Sequence, residues 1–383
     1  MILNDRRRPG LPAELVGRVF AIWLGVALLQ VAVVATVGSF STMPPILSLS
    51  TLASMLTMGC AMLLIGRIAF RIFDEEIAGL ACLASAMAVP LMIAMRPVMP
   101  DIHGLQAVCI LFALNGLMAR EARPGGWAIG AALAAALALS LDGMVLALGF
   151  VAIPAFKWLR NRADRWWLVH ALQALTAVSA AILAARWAMG LPPTCGSLGT
   201  AHLAASGWAT GILTVVALFE PHPRAFTIGG MIAAAGGAGL LLSDGTTGCA
   251  IGPALGLRGA APLWQGGAVF AIQALGLPLL GFVAALRLTS PARDWLRQWW
   301  SDYAALMLLA TILTAFDARI AAAACALAAV PIGWQLREWI RASRNSRRTG
   351  RRALALTAVA LALAPAMPIS LLVLAAPGYA GTL

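Results

Sequence analysis

Apolar runs about twenty residues long, the length a helix needs to cross a hydrocarbon core, recur along this chain from residue 15 almost to the C-terminus. Short polar or charged intervals separate them. The pattern predicts helices over residues 15–37, a second returning to "GRIAFRIFDEE", a third over 77–95 and a fourth descending from "MPDIHG" to "REARPGG". Between Trp127 and Phe156 the chain must go out and back in about 30 residues, where two full crossings need roughly 40. The pair is therefore two short helices or a dipping hairpin turning at "SLDGM". A seventh helix covers 167–189, and three more alternate through "EPHPR" and the long loop "SDGTTGCAIGPALGLRGAAPLW" to Arg287. "TSPARDWLRQWW" reads as an interfacial helix, with Ser290 as cap, Pro291 in the first turn and Trp295, Trp299 and Trp300 at headgroup level. A second short hairpin turns at "FDAR", and a last helix spans 353–376.

Charge orients these helices, because Arg and Lys prefer cytoplasmic loops. The threading puts all but four of the 27 basic residues inside; Arg96, Arg186, Arg258 and Arg319 lie at or near the outside. The expected architecture is an all-α, polytopic transmembrane helical bundle of about thirteen segments, with a cytoplasmic N-terminus and an extracytoplasmic C-terminus. It is read as one domain over 1–383, with a cytoplasmic tail at 1–14, a basic cytoplasmic loop at 337–352 and no C-terminal soluble domain.

Composition agrees. Of 383 residues 61% are hydrophobic and 11% charged, and the mean hydropathy is +0.88; a soluble domain cannot hide so much apolar surface. The net charge of +12 is spread between apolar runs, which argues topology and no nucleic-acid partner. Only Lys157 among the basic residues is a lysine, which with the alanine-rich runs points to a bacterium with a GC-rich genome and so to its inner membrane. Four of the six cysteines (Cys60, Cys82, Cys109, Cys325) lie in apolar runs as small core residues. Cys195 and Cys249 fall in outer loops, where they either form a disulfide or stay as two free thiols. No Gly-x-Ser-x-Gly elbow, His-Glu-x-x-His or Walker loop is present.

The outer face then holds Asp101, His103, Asp142, Asp244, Asp317 and Arg319, with Arg96, Arg186, Arg258 and His202 nearby. Ionisable groups at membrane depth are expensive and become functional candidates by default, although each can simply be solvated at a helix end. In "DIHGLQ" a carboxylate and an imidazole stand at the mouth of a helix, where they can cap it, coordinate a divalent cation such as Mg or Mn, or bind a phosphate. Gln106 adds a hydrogen bond from the same face. Arg186 either snorkels or binds an anionic headgroup or phosphate. His170 and His222 read as interfacial, structural residues on the inner side.

The stretch "MPDIHGLQAVCILFALNGLMAREARPGGWAIGAALAAALALSLDGMVLAL" resembles the Asp-His-His-x-Gln segment, following helix and acidic hairpin of bacterial GT-C glycosyltransferases, a class that includes the catalytic subunits of oligosaccharyltransferases. "TTGCAIGPALGLRGAAPLW" resembles their cysteine and Gly-Pro outer loop. The resemblance covers residues 15 to 270 in layout, but only "DIHGLQ" and "GCAIGP" in residues. It implies sugar transfer from a polyprenyl-phosphate-linked donor to an extracytoplasmic acceptor. Asp101 and His103 match the motif that binds metal or carrier phosphate, Ile102 replaces its first histidine, and Gln106 matches its glutamine. Arg186, Arg258 and Arg319 are candidates for the donor phosphate.

One departure matters. The first outer loop, "GSFSTMPP", has no acid where the class carries its catalytic base. Inverting transfer needs a group to take the acceptor's proton. Either Asp142 substitutes, or the chain is an inactive relative that binds the lipid carrier beside a membrane-protein partner. A transporter is the third reading, and it lacks the expected inverted repeats and paired midplane charges.

Overall fold

The computed structural model describes residues 49–96, 101–191, 197–220, 223–243, 262–265 and 267–365. The predicted helix at 15–37, the loop "GSFSTMPP", Cys195, Cys249, His222, Asp244, Arg258 and the chain beyond 365 lie outside the described residues. All regular structure among the described residues is helical: α1 (Leu49–Ile72), α2 (Glu75–Met87), α3 (Val89–Ala94), α4 (Ile102–Leu117), α5 (Ala122–Leu139), α6 (Met144–Arg160), α7 (Arg165–Ala188), α8 (Thr200–Leu218), α9 (Arg224–Ser243), α10 (Ala268–Thr289), α11 (Asp294–Phe316), α12 (Ala321–Asn345) and α13 (Thr349–Leu363). Nine segments in this set are long and apolar enough to cross a membrane. Contacts gather the described chain into two compact units. Residues up to Gly104 and from Pro262 onward form one; Leu105 to Ser243 form the other.

In the first unit α12 is the central element. Its residues from Ala321 to Gly333 are all buried, as expected of a helix apolar on every side. Small side chains let its neighbours approach closely. A Cβ added to Gly281 of α10 would lie 2.7 Å from the Ala328 Cβ, and one on Gly333 would lie 2.7 Å from the Ala81 backbone nitrogen of α2. Pro331 inside α12 has no N–H to offer the Leu327 carbonyl one turn earlier. The buried Tyr303 hydroxyl of α11 donates to that carbonyl instead. This is the kind of repair a proline needs where no water is available.

Four sequence expectations change here. The third predicted helix, over 77–95, is two pieces, because Ala88 is extended (φ −72°, ψ 100°) just ahead of Pro90. "TSPARDWLRQWW" is not an interfacial helix capped by Ser290: α11 starts at Asp294 after Arg293 and runs unbroken to Phe316. Trp299 and Trp300 are buried with Tyr303, and Trp300 also meets Phe73 at 5.8 Å, so they are core rather than headgroup anchors. Finally, the basic stretch 337–352 is mostly helix. Arg337 pairs with Asp74 and Arg341 with Glu76 (3.4 Å), which fastens the end of α12 to the start of α2.

In the second unit the pair spanning "SLDGM" resolves as two helices, α5 and α6, each long and apolar enough to cross a membrane. The helices gain length by including Arg123, Lys157 and Arg160 at their ends. Helices α5 and α7 touch backbone to backbone: a Cβ on Gly130 would sit 2.0 Å from the Ala171 oxygen, and one on Gly126 would sit 2.7 Å from the His170 Cβ. Trp208 of α8 donates its indole N–H to the Ala233 carbonyl of α9 at 3.1 Å.

Three tight connections share one device. Ser140 Oγ accepts the Asp142 N–H (3.2 Å), Asn161 Oδ1 the Ala163 N–H (3.2 Å) and Asp317 Oδ1 the Arg319 N–H (3.1 Å). Each side chain satisfies a backbone donor two residues on and opens a single 3-10 turn before the next helix.

The Tyr303 bond yields a test. Tyr303→Phe strands the Leu327 carbonyl and should lower stability by about 1–3 kcal/mol, read as a fall in thermal midpoint in detergent. Adding Pro331→Ala, which restores the helix's own donor, should recover most of the loss.

Candidate functional site

Asp101 stands immediately before α4. Its Oδ1 accepts the His103 N–H at 3.2 Å and its carbonyl accepts the Gly104 N–H at 3.1 Å, the local geometry of a helix start. The Asp101 N–H donates to the Ala94 carbonyl at the end of α3 (3.2 Å). A side chain at Gly104 would collide with the same carbonyl, its Cβ 2.7 Å away, which explains the glycine of "DIHG". Ser54 of α1 holds the end of this segment by donating to the Arg96 carbonyl at 2.8 Å. His103 Nε2 lies 3.7 Å from Asp101 Oδ1, with the imidazole largely covered and the carboxylate 44% exposed. The structure therefore brings this predicted pair together, with the acid open to a ligand.

No group of three or more His, Cys, Asp or Glu residues converges among the described residues. Asp101 and His103 fit one or two coordination positions of a hard cation that takes its remaining ligands from water and phosphate, and do not make a protein cage.

Gln106 is buried and has a structural task. Its side-chain amide donates to the Ser140 carbonyl at 3.0 Å, at the end of α5. A Cβ on Gly143 would lie 2.5 Å from that amide nitrogen, so the glycine after Asp142 makes room for the bond. Gln106 and the Asp142 turn thus stand at one end of the second unit, with Asp142 half-buried in the turn Leu141–Gly143.

Arg319 grips Asp317 in a two-pronged pair, Nε to Oδ1 at 2.9 Å and Nη2 to Oδ2 at 2.7 Å. The Asp317 side chain is 9% exposed. Neutralised in this way, Arg319 offers an anion less attraction than the sequence suggested. Arg186 lies half-buried in the last turn of α7, where a cation suits the helix dipole.

A group that sequence reading placed only at the margin gains a setting. His202 lines an apolar cleft of about 350 Å³ among α5 to α9, walled by residues such as Leu148, Val151, Leu172, Leu213 and Ala238. Its Nδ1 accepts the Gly199 N–H at 3.3 Å. The only signal in the sequence was a histidine three residues past a glycine at a helix start.

Nine membrane-length apolar helices and the absence of strands among the described residues define a multi-pass, all-α membrane protein with the fold of oligosaccharyltransferases. That fold is seen in the oligosaccharyltransferase of Archaeoglobus fulgidus tethered by a disulfide bond to an acceptor peptide containing the NVT sequon, which matches with a TM-score of 0.56 at 16% identity. The oligosaccharyltransferase AglB of the same archaeon, in complex with an inhibitory peptide and a dolichol-phosphate, matches with a TM-score of 0.55 at 17% identity. Each comparison covers 90% of this chain and 46% of the archaeal one, so the chain spans about half the length of the structures it resembles. No family model and no curated protein matches the chain.

The Arg319–Asp317 pair generates a prediction. Arg319→Ala leaves a buried carboxylate unpaired and should cost about 3–5 kcal/mol, whereas the double change Asp317→Asn with Arg319→Ala should lie much closer to wild type. Thermal unfolding of the three purified proteins measures both.

Proposed function

We propose that this chain is a GT-C-like glycosyltransferase of a bacterial inner membrane, moving a sugar from a polyprenyl-phosphate-linked donor to an acceptor on the extracytoplasmic face. The observation that carries the reading is the oligosaccharyltransferase fold over 90% of the chain. A dolichol-phosphate bound to one of those neighbours supports a polyprenyl-phosphate carrier here, and the apolar cleft beside His202 suits an isoprenoid chain.

In this reading the acceptor's nucleophilic atom attacks the anomeric carbon, the bond to the carrier phosphate breaks, and its electron pair leaves with the phosphate. Asp142 takes the acceptor's proton, standing in for the acid missing from "GSFSTMPP". Asp101 and His103 would hold a bound Mg or Mn, which would neutralise the leaving phosphate's charge. Arg186 and Arg258 add positive charge for the phosphate, whereas Arg319, held by Asp317, adds little. Gln106 acts as a positioning residue, tying the start of α4 to the turn that carries Asp142.

The acid-free loop favours one other reading, an inactive relative that holds the lipid carrier next to a membrane-protein partner. A radiolabelled-sugar transfer assay in membranes of a deletion strain separates the two. Wild type should restore labelled product, and Asp101→Asn and Asp142→Asn should each reduce it by about a hundredfold or more at equal expression. Variants as active as wild type would remove both residues from the chemistry, and a wild type with no product would favour the accessory role.

A further inference from the structure

At the opposite end of the second unit from Asp142, about 25 Å along α5, lies a different kind of site. Arg123 and Trp127 from the first turns of α5 and Trp166, His170 and Gln173 from the first turns of α7 line a cavity of about 480 Å³. The backbone contact at Gly126 and Gly130 is what brings these two helix starts side by side. His170 stacks on Trp166 with ring centres 5.7 Å apart, and its Nδ1 lies 3.1 Å from the Gln173 side-chain oxygen, which fixes imidazole and amide together.

The charge at this end is unbalanced. Arg123 has no carboxylate within ion-pair range among the described residues, and a guanidinium in the first turn of a helix opposes the dipole. Glu121, two residues before Arg123, is exposed at the N-cap of α5 and makes no capping bond there; Glu220 is engaged by Arg162 at 3.3 Å and Asp164 by the Asn161 amide at 3.2 Å. Arg165 lies over Trp166 (5.6 Å) and Lys157 over Trp167 (5.4 Å), so cations and indoles interleave where apolar helices end. Indole walls at the ends of apolar helices, with arginine, imidazole and amide donors, match the phosphodiester of an anionic lipid, whose glycerol and chains would continue along the helices.

We propose that the cleft of Arg123, Trp127, Trp166, His170 and Gln173 binds the phosphate headgroup of an anionic phospholipid, at a site separate from the one assigned to sugar transfer. The test uses the full chain in detergent, titrated with dioctanoyl phosphatidylglycerol or dioctanoyl phosphatidylcholine and read by native mass spectrometry. Wild type should hold the glycerol lipid at least about fivefold more tightly than the choline lipid, the preference one arginine supplies at a membrane surface. Arg123→Gln should abolish the preference, Gln173→Leu should weaken it, and Arg352→Gln on α13 should leave it unchanged. Because Arg123 is exposed, its loss does not open the core. Equal binding of the two lipids, or an Arg123→Gln protein that keeps the preference, would overturn the proposal. Displacement of the lipid by millimolar inorganic phosphate would overturn the lipid assignment in favour of a soluble phosphate ester.

Discussion

Inside a hydrocarbon layer a backbone carbonyl or N–H without a partner costs several kcal/mol, and the architecture answers to that single constraint. It confines regular structure to helices, and it accounts for details within them. Pro331 would leave the Leu327 carbonyl stranded at the centre of the first unit, and Tyr303 reaches across from α11 to meet it. Where a helix must stop and reverse, Ser140, Asn161 and Asp317 each turn a side-chain oxygen back on the chain. The same cost drives charge to helix ends. Asp101, Asp142 and Asp317 all stand in such connections.

Close packing follows from residue size rather than from hydrophobicity, since lipid tails are as apolar as leucine. Glycines at 126 and 130 set α5 against α7 in the second unit, and the alanine run of α12 admits α2 and α10 in the first. Close packing by glycine also shapes each end of the second unit. At one end, Gly143 admits the Gln106 amide that fixes the Asp142 turn. At the other, the α5–α7 approach assembles the cleft of Arg123 and His170.

The sequence was most legible where its period was strongest. Apolar runs and the flanking charge locate α4, α7 and the end of α10 within a few residues, and "SLDGM" and "FDAR" read as turns, because length and charge alone determine where a spanning helix can end. It was misleading where tertiary contacts decide. Tryptophans 299 and 300 have an interfacial composition, yet an aromatic partner set buries them; the arginines of 337–345 read as loop until their pairing with Asp74 and Glu76 is seen. The candidate chemistry divided in the same way. "DIHG" announced a helix start with an acid and an imidazole, and the local geometry bears that out. The burial of Gln106 depends on Ser140, 34 positions away, and the neutralisation of Arg319 on Asp317, two positions before it, so only the first needed the fold to be known.

Asp142 and Arg123 stand at opposite ends of the second unit, and the proposed sugar transfer outside the cell requires Asp142 at the outer face and Arg123 at the inner one. Substituted-cysteine labelling with a membrane-impermeant thiol reagent in intact bacterial cells measures this orientation directly, against the background of the native cysteines. Asp142→Cys should be labelled from outside, and Arg123→Cys only after the membrane is permeabilised. Labelling of Arg123→Cys in intact cells, with Asp142→Cys protected, would invert the topology and contradict sugar transfer on the extracytoplasmic face.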